Sequence, residues 1–135
     1  MEKVFVKKDT RPINVGILDL LKFAWPFQAI ASITHRIAGV ILFIGIAFIL
    51  FALEMSLESE AAFDQLKMMI ASPLGKFITW GLLSATAYHF VAGIKHMIVD
   101  FGVGETLEGG LMAARIVVSC SAVLIVFAAW WVLQL

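Results

Sequence analysis

Three long apolar runs, about residues 29–53, 77–99 and 111–135, constrain this chain more than any other feature. Each can cross a hydrocarbon core about 30 Å thick as a helix, which takes roughly 20 residues. A backbone inside lipid has no water to bond, so each run must satisfy its own amides and carbonyls, and a helix does this within one segment. The expectation is an all-α membrane protein: three transmembrane helices forming part of a heteromeric helix bundle. Composition agrees. Of 135 residues, 61% are hydrophobic and 15% charged, where soluble domains run near half and a quarter. Three spans and their connections use up the length, so residues 1–135 read as a single transmembrane domain.

Ten basic and ten acidic residues leave no net charge, which points away from nucleic acid or an acidic partner. The single Cys120 excludes an internal disulfide and is expected as a small buried apolar residue. Lys3, Lys7, Lys8, Asp9, Arg11, Asp19 and Lys22 interrupt the start, with no compact apolar core or cleavage site of a signal peptide. The mature chain is expected to begin at Met1.

Residues 13–24 carry Ile13, Ile17, Leu20 and Leu21 at helical spacing among Asn14, Asp19 and Lys22, the pattern of a short helix lying in the membrane surface. Pro26 then opens the first span, since proline is tolerated in a first helical turn. Residues 54–76 read as a polar loop able to hold a short surface helix, with Glu58, Glu60, Asp64 and the turn pair Ser72-Pro73. Gly102, Gly104, Glu105, Glu108, Gly109 and Gly110 form a glycine-rich acidic turn before the third span. Six of the ten basic residues lie from Lys3 through Arg36 and two around the second connection (Lys95, Arg115), against two in the first connection (Lys67, Lys76). The positive-inside rule then puts the amino terminus in the cytoplasm and the carboxyl terminus outside. In that orientation Trp80, Trp130 and Trp131 anchor the outer interface and Trp25 the inner one.

His89 and His96 stand seven residues apart in the second run, on one helix face and about 10 Å apart along the axis. An ionisable group inside a span is a functional hypothesis by default. Counted from the inner end of its run, His89 lies near mid-bilayer, whereas His35 and His96 lie near the cytoplasmic face. On that count His35 and His89 differ in height by roughly two helical turns and do not face each other across one iron. If His89 is an axial haem ligand, the opposite ligand comes from another chain. The haem propionates could then pair with His35, Arg36, Lys95 and His96, and Gly93 gives a macrocycle or a neighbouring helix close approach. Two other readings stay open: His89 hydrogen-bonding across a helix interface, and His35 with His96 as a ligand pair at the inner face.

Ser32 and Arg36 are four residues apart on one face of the first span and could hydrogen-bond the carbonyl oxygens of a quinone, with Asp100 helping to supply protons. The competing reading is that Arg36 snorkels to lipid headgroups.

The strings Arg11-Pro12-Ile13-Asn14, Ala29-Ile30-Ala31-Ser32-Ile33-Thr34-His35-Arg36-Ile37-Ala38-Gly39-Val40, Ala87-Tyr88-His89, Gly93-Ile94-Lys95-His96-Met97 and Asp100-Phe101-Gly102 occur in order along nearly the whole chain. Together they resemble the cytochrome b membrane-anchor family of succinate dehydrogenase, the succinate:quinone oxidoreductase or complex II. The resemblance implies that His89 is one axial ligand to the iron of a b-type haem, with a second small membrane-anchor subunit donating the other. It implies that Ser32 and Arg36 line a ubiquinone site near an iron-sulfur subunit, with Asp100 near that pocket. His35 then serves the haem propionates and the quinone pocket, and Arg36 and His96 the propionates. Lys95 departs from a common arginine, which keeps the charge and loses bidentate geometry. Succinate oxidation, a step of the tricarboxylic acid cycle, would belong to a flavoprotein subunit and electron transport onward to the iron-sulfur subunit. The implied location is the bacterial inner membrane, with a periplasmic carboxyl terminus. A quinol:fumarate reductase anchor and a non-catalytic membrane assembly protein are the rival functions.

Overall fold

A computed structural model describes Leu18, Lys22 and residues 24–135. The interfacial helix expected over residues 13–24 lies outside these apart from isolated positions. The described residues form four helices and no strand: α1 (Phe27–Glu58), α2 (Glu60–Ala71), α3 (Pro73–Asp100) and α4 (Leu107–Leu133). Three of them, α1, α3 and α4, are long and apolar enough to cross a membrane, with mean hydropathies of 2.6, 1.3 and 2.5. The lower value of α3 reflects Ser84, Thr86, Tyr88, His89, Lys95 and His96. Polar chemistry is thus concentrated in the helix that packs most extensively against the other spans.

The helices outrun the apolar runs because their ends are set by caps. Residues 54–76 are helical almost throughout instead of forming a loop: α1 continues to Glu58, and Ser59 starts α2 with its hydroxyl accepting from Ala62 N at 3.1 Å. Ser72 closes α2 and opens α3 at once. Its N–H donates to Met68 O and Met69 O, its hydroxyl accepts from Gly75 N at 3.1 Å, and Pro73 follows at the position where a missing amide goes unnoticed. Thr106 caps α4 in the same way, accepting from Gly109 N at 3.0 Å. The turn between α3 and α4 uses Gly102 and Gly104 at φ 81° and 80°, a region other residues enter at a cost.

Antiparallel α3 and α4 meet along the small buried residues Ala85, Ala92, Ala114 and Ser121 with Val117, which let two backbones approach where no hydrophobic drive exists between helices in lipid. Trp80 Nε1 donates to Ile125 O at 3.3 Å, so this tryptophan joins α3 to α4 in addition to any anchoring role. Lys76 Nζ donates to Leu133 O at 3.4 Å, a cation at the carbonyl end of α4. On the other side, Gly45 of α1 lies directly against the Leu82 side chain. Gln28 at the start of α1 donates to Leu107 O at the start of α4, at 3.2 Å. Those two helix starts and the end of α3 therefore share one end of the bundle.

Cys120 is exposed on α4, contrary to the buried position expected of it. Helical rotation explains this. The buried line of α4 passes through Val117 and Ser121, and Cys120 falls to one side. The outer face of α1 is also bare, with Val40 60% and Phe43 77% exposed.

Candidate functional site

At the end shared by α1, α3 and α4, three imidazoles form a short stack. The His35 ring lies 4.2 Å from that of His89, centre to centre, at 27°, and 5.1 Å from that of His96 at 32°. The expected height difference does not hold. His35 lies eight residues from the start of α1 and His89 eleven from the end of α3, about 12 and about 16 Å of rise. The remaining offset is less than one turn, and the side chains span it.

The stack is not itself a metal cage. A metal bound at about 2 Å by two rings from opposite sides would hold the ring centres about 6 Å apart, wider than either pair here. No group of three or more His, Cys, Asp or Glu among the described residues could hold a metal ion. As they stand, no two of these rings sandwich a metal, and each could serve only singly as a ligand to a group beside the cluster.

His89 has the features of such a ligand. Its Nδ1 lies 3.2 Å from the backbone carbonyl oxygen of His35. A carbonyl only accepts, so Nδ1 must carry the proton for the bond to exist, and Nε2 is left with a free lone pair. The approach is close: a Cβ at Gly39 would lie 3.1 Å from His89 Cε1 and 3.5 Å from Nδ1. Tyr88, next in chain, donates from its hydroxyl to Ala31 O at 3.0 Å, so two successive side chains of α3 are fastened to α1. A Cβ at Gly93, one turn beyond His89, would meet nothing within 4 Å, which leaves a flat open patch there.

Ser32 meets Lys95 and His96, not Arg36. With Gln28 and the apolar residues Ala31, Ala92, Ala114 and Val117, they line a cavity of about 20 Å³, room for about one water. Arg36 and Asp100 are exposed and take no part in that lining. His35 Nε2 is buried without a hydrogen-bond partner, which at a polar site leaves an unmet donor or acceptor.

The sequence puts His35, His96 and Ser32 near one membrane face but sets His89 apart from them, and it does not show Gly39 and Tyr88 as working parts of the cluster. The signal for Gly39 was its place four residues after His35, one turn along the same face. Tyr88 gave none beyond adjacency to His89, because a bond to a backbone carbonyl leaves no mark on the residue that supplies it.

A family profile described as succinate dehydrogenase/fumarate reductase transmembrane subunit matches residues 7–128. A succinate dehydrogenase cytochrome b556 subunit of Coxiella burnetii is 37% identical over 123 residues, covering 90% of this chain and 96% of the relative. One of the same description from Paracoccus denitrificans is 32% identical over 121 residues, covering 90% and 91%.

Proposed function

This chain belongs to the succinate dehydrogenase/fumarate reductase transmembrane subunit family, and we propose that it holds one b-type haem jointly with a second small anchor subunit and forms part of a ubiquinone-reduction site. The observation that carries the reading is the Nδ1 contact of His89 with the His35 carbonyl, which leaves Nε2 free to bind iron. His35, Arg36 and His96 serve the haem propionates, and Lys95 adds a point charge beside His96. The unpartnered His35 Nε2 supports a polar group arriving at this site from outside the chain. When bound, the haem supplies a one-electron centre whose potential follows from its axial ligands and its burial.

Ser32 and Arg36 bind the quinone headgroup from one side of α1, and Asp100 at the end of α3 assists proton delivery. Their differing exposure fits this division, because an exposed guanidinium stays free for a substrate or partner to cover. The chain works as a single transmembrane domain with a cytoplasmic amino terminus in the bacterial inner membrane. A flavoprotein and an iron-sulfur subunit carry succinate oxidation. The family description covers both succinate dehydrogenase and fumarate reductase. The relatives' names favour the former.

Detergent purification of the tagged chain from its native membrane tests the reading, followed by subunit identification and a reduced-minus-oxidised spectrum. A flavoprotein, an iron-sulfur protein, a second small membrane subunit and a low-spin haem band are expected together. Their joint absence would defeat the proposal.

A further inference from the structure

We infer that Gly39 is a positioning residue for His89: by lacking a side chain it leaves room for the imidazole to lie against α1 within reach of the His35 carbonyl, and so sets which imidazole nitrogen is available to iron. This rests on the proposed role of His89 as a haem ligand. In a helix the carbonyl of residue i accepts from the amide four residues on, and the side chain of that later residue leans back over the same turn. For His35 that residue is Gly39. A side chain there would not by itself block the carbonyl, since Ala31 O accepts from Tyr88 with His35 four residues on; what it would crowd is the His89 ring. With glycine the carbonyl keeps its helical bond and still receives His89 Nδ1 at 3.2 Å. A Cβ at Gly39 would stand 3.1 Å from His89 Cε1 and 3.5 Å from Nδ1, so the ring would have to shift by a few tenths of an ångström from its place beside the carbonyl. A carbonyl partner of this kind fixes the tautomer of a metal-bound histidine and raises its basicity. The glycine therefore acts on the metal ligand without touching the metal.

Gly45 provides the contrast needed for a test, since it is a buried glycine of the same helix that lies against the aliphatic Leu82 and no ligand. The intact complex would be purified with Gly39→Ala, Gly39→Leu and Gly45→Ala. Haem-to-protein ratio, the low-spin electron paramagnetic resonance signal, the haem midpoint potential and thermal stability would be compared with the unaltered complex. Gly39→Ala is expected to retain haem with a shifted low-spin signal and a raised midpoint potential, because a ligand that loses its carbonyl partner donates less charge to ferric iron. Gly39→Leu is expected to weaken haem retention about 10- to 100-fold, the usual cost of losing such a partner. Gly45→Ala should lower thermal stability and leave signal and potential unchanged. If the complex assembles with Gly39→Ala and both spectroscopic values match the unaltered protein, or if Gly45→Ala shifts them equally, the inference is wrong while the haem reading stands. An unaltered complex with no haem overturns both. Should Gly39→Leu fail to assemble, Gly39→Ala decides alone.

Discussion

The two ends of the seam between α1 and α3 are built on opposite principles. At the histidine end, side chains of α3 reach across to backbone carbonyls of α1: Tyr88 to Ala31 and His89 to His35. At the other end α1, α2 and α3 enclose an apolar groove of about 680 Å³, among whose lining residues are Phe48, Phe51, Leu66, Met69, Ile78 and Leu82. Directional bonds fix distance and rotation, whereas apolar contacts between helices in lipid have no hydrophobic drive to close a gap. A site that must hold a ring in one orientation therefore belongs at the first end. The second end is free to vary in filling without disturbing it.

Removal of the ligand itself should break the comparison most sharply. His89→Ala is expected to abolish the low-spin haem spectrum while the chain still inserts, because the proposed site takes a single ring from this chain. Leu82→Ala, at the groove end of the same helix, is expected to reduce thermal stability and keep the spectrum, as befits a half-buried apolar side chain. A low-spin spectrum that survives His89→Ala would shift the ligand to another residue and remove the basis for treating the two ends as chemically different.

A smaller effect should separate functions within the histidine end. In the proposed quinone site, Arg36→Ala and Ser32→Ala would each remove one hydrogen-bond donor to the headgroup. If the bond to a charged group is worth about 1.5–3 kcal/mol, Arg36→Ala should lower quinone reduction roughly 10- to 150-fold. The neutral hydroxyl of Ser32 is expected to matter less. Succinate oxidation with a soluble artificial acceptor should persist in both, because the flavoprotein site lies elsewhere. Equal loss of both activities would mean that the substitutions disturb assembly and that Ser32, which shares its small cavity with Lys95 and His96, supports packing instead.

Much of this organisation was readable in advance, and what escaped has identifiable causes. The three spans followed from hydropathy because lipid forces a long apolar run to become a helix. Their ends did not, since hydropathy reports where lipid stops and a helix continues until a cap stops it. Ser59, Ser72 with Pro73, and Thr106 were the relevant letters; Ser59 and Ser72 bound α2 within the expected loop, and Thr106 starts α4. The meeting of His35 with His89 was lost because two turns overstated the offset: six residues from the start of the first run against ten from the end of the second is about one turn, which side chains reaching across the seam can close. Ser32 beside His96 needed the pairing of α1 with α3, which one-dimensional spacing does not contain. The rotation of α4 that exposes Cys120 depends on its partner face in the same way.

The finest test compares two hydroxyls two residues apart on α3. Tyr88 donates across the seam to Ala31 O at 3.0 Å, while Thr86 donates back along its own helix to Leu82 O at 2.8 Å. Removing the first breaks a tie between helices; removing the second only returns a carbonyl to its ordinary helical bond. Tyr88→Phe is therefore expected to destabilise the folded bundle by about 0.6 kcal/mol and at most about 1.7, the range for such interhelical bonds in a membrane. Thr86→Val should leave stability within about 0.5 kcal/mol of the unaltered protein, as surface substitutions usually do. The measurement is reversible unfolding in mixed detergent, with helicity as the signal. Tyr88 also immediately precedes His89, so Tyr88→Phe should loosen the ring's backing and broaden the low-spin haem signal, an effect that Thr86→Val has no route to produce. Equal unfolding midpoints for the two variants would mean that cross-seam bonds do not hold the histidine end together, and the distinction between the two ends would reduce to shape alone.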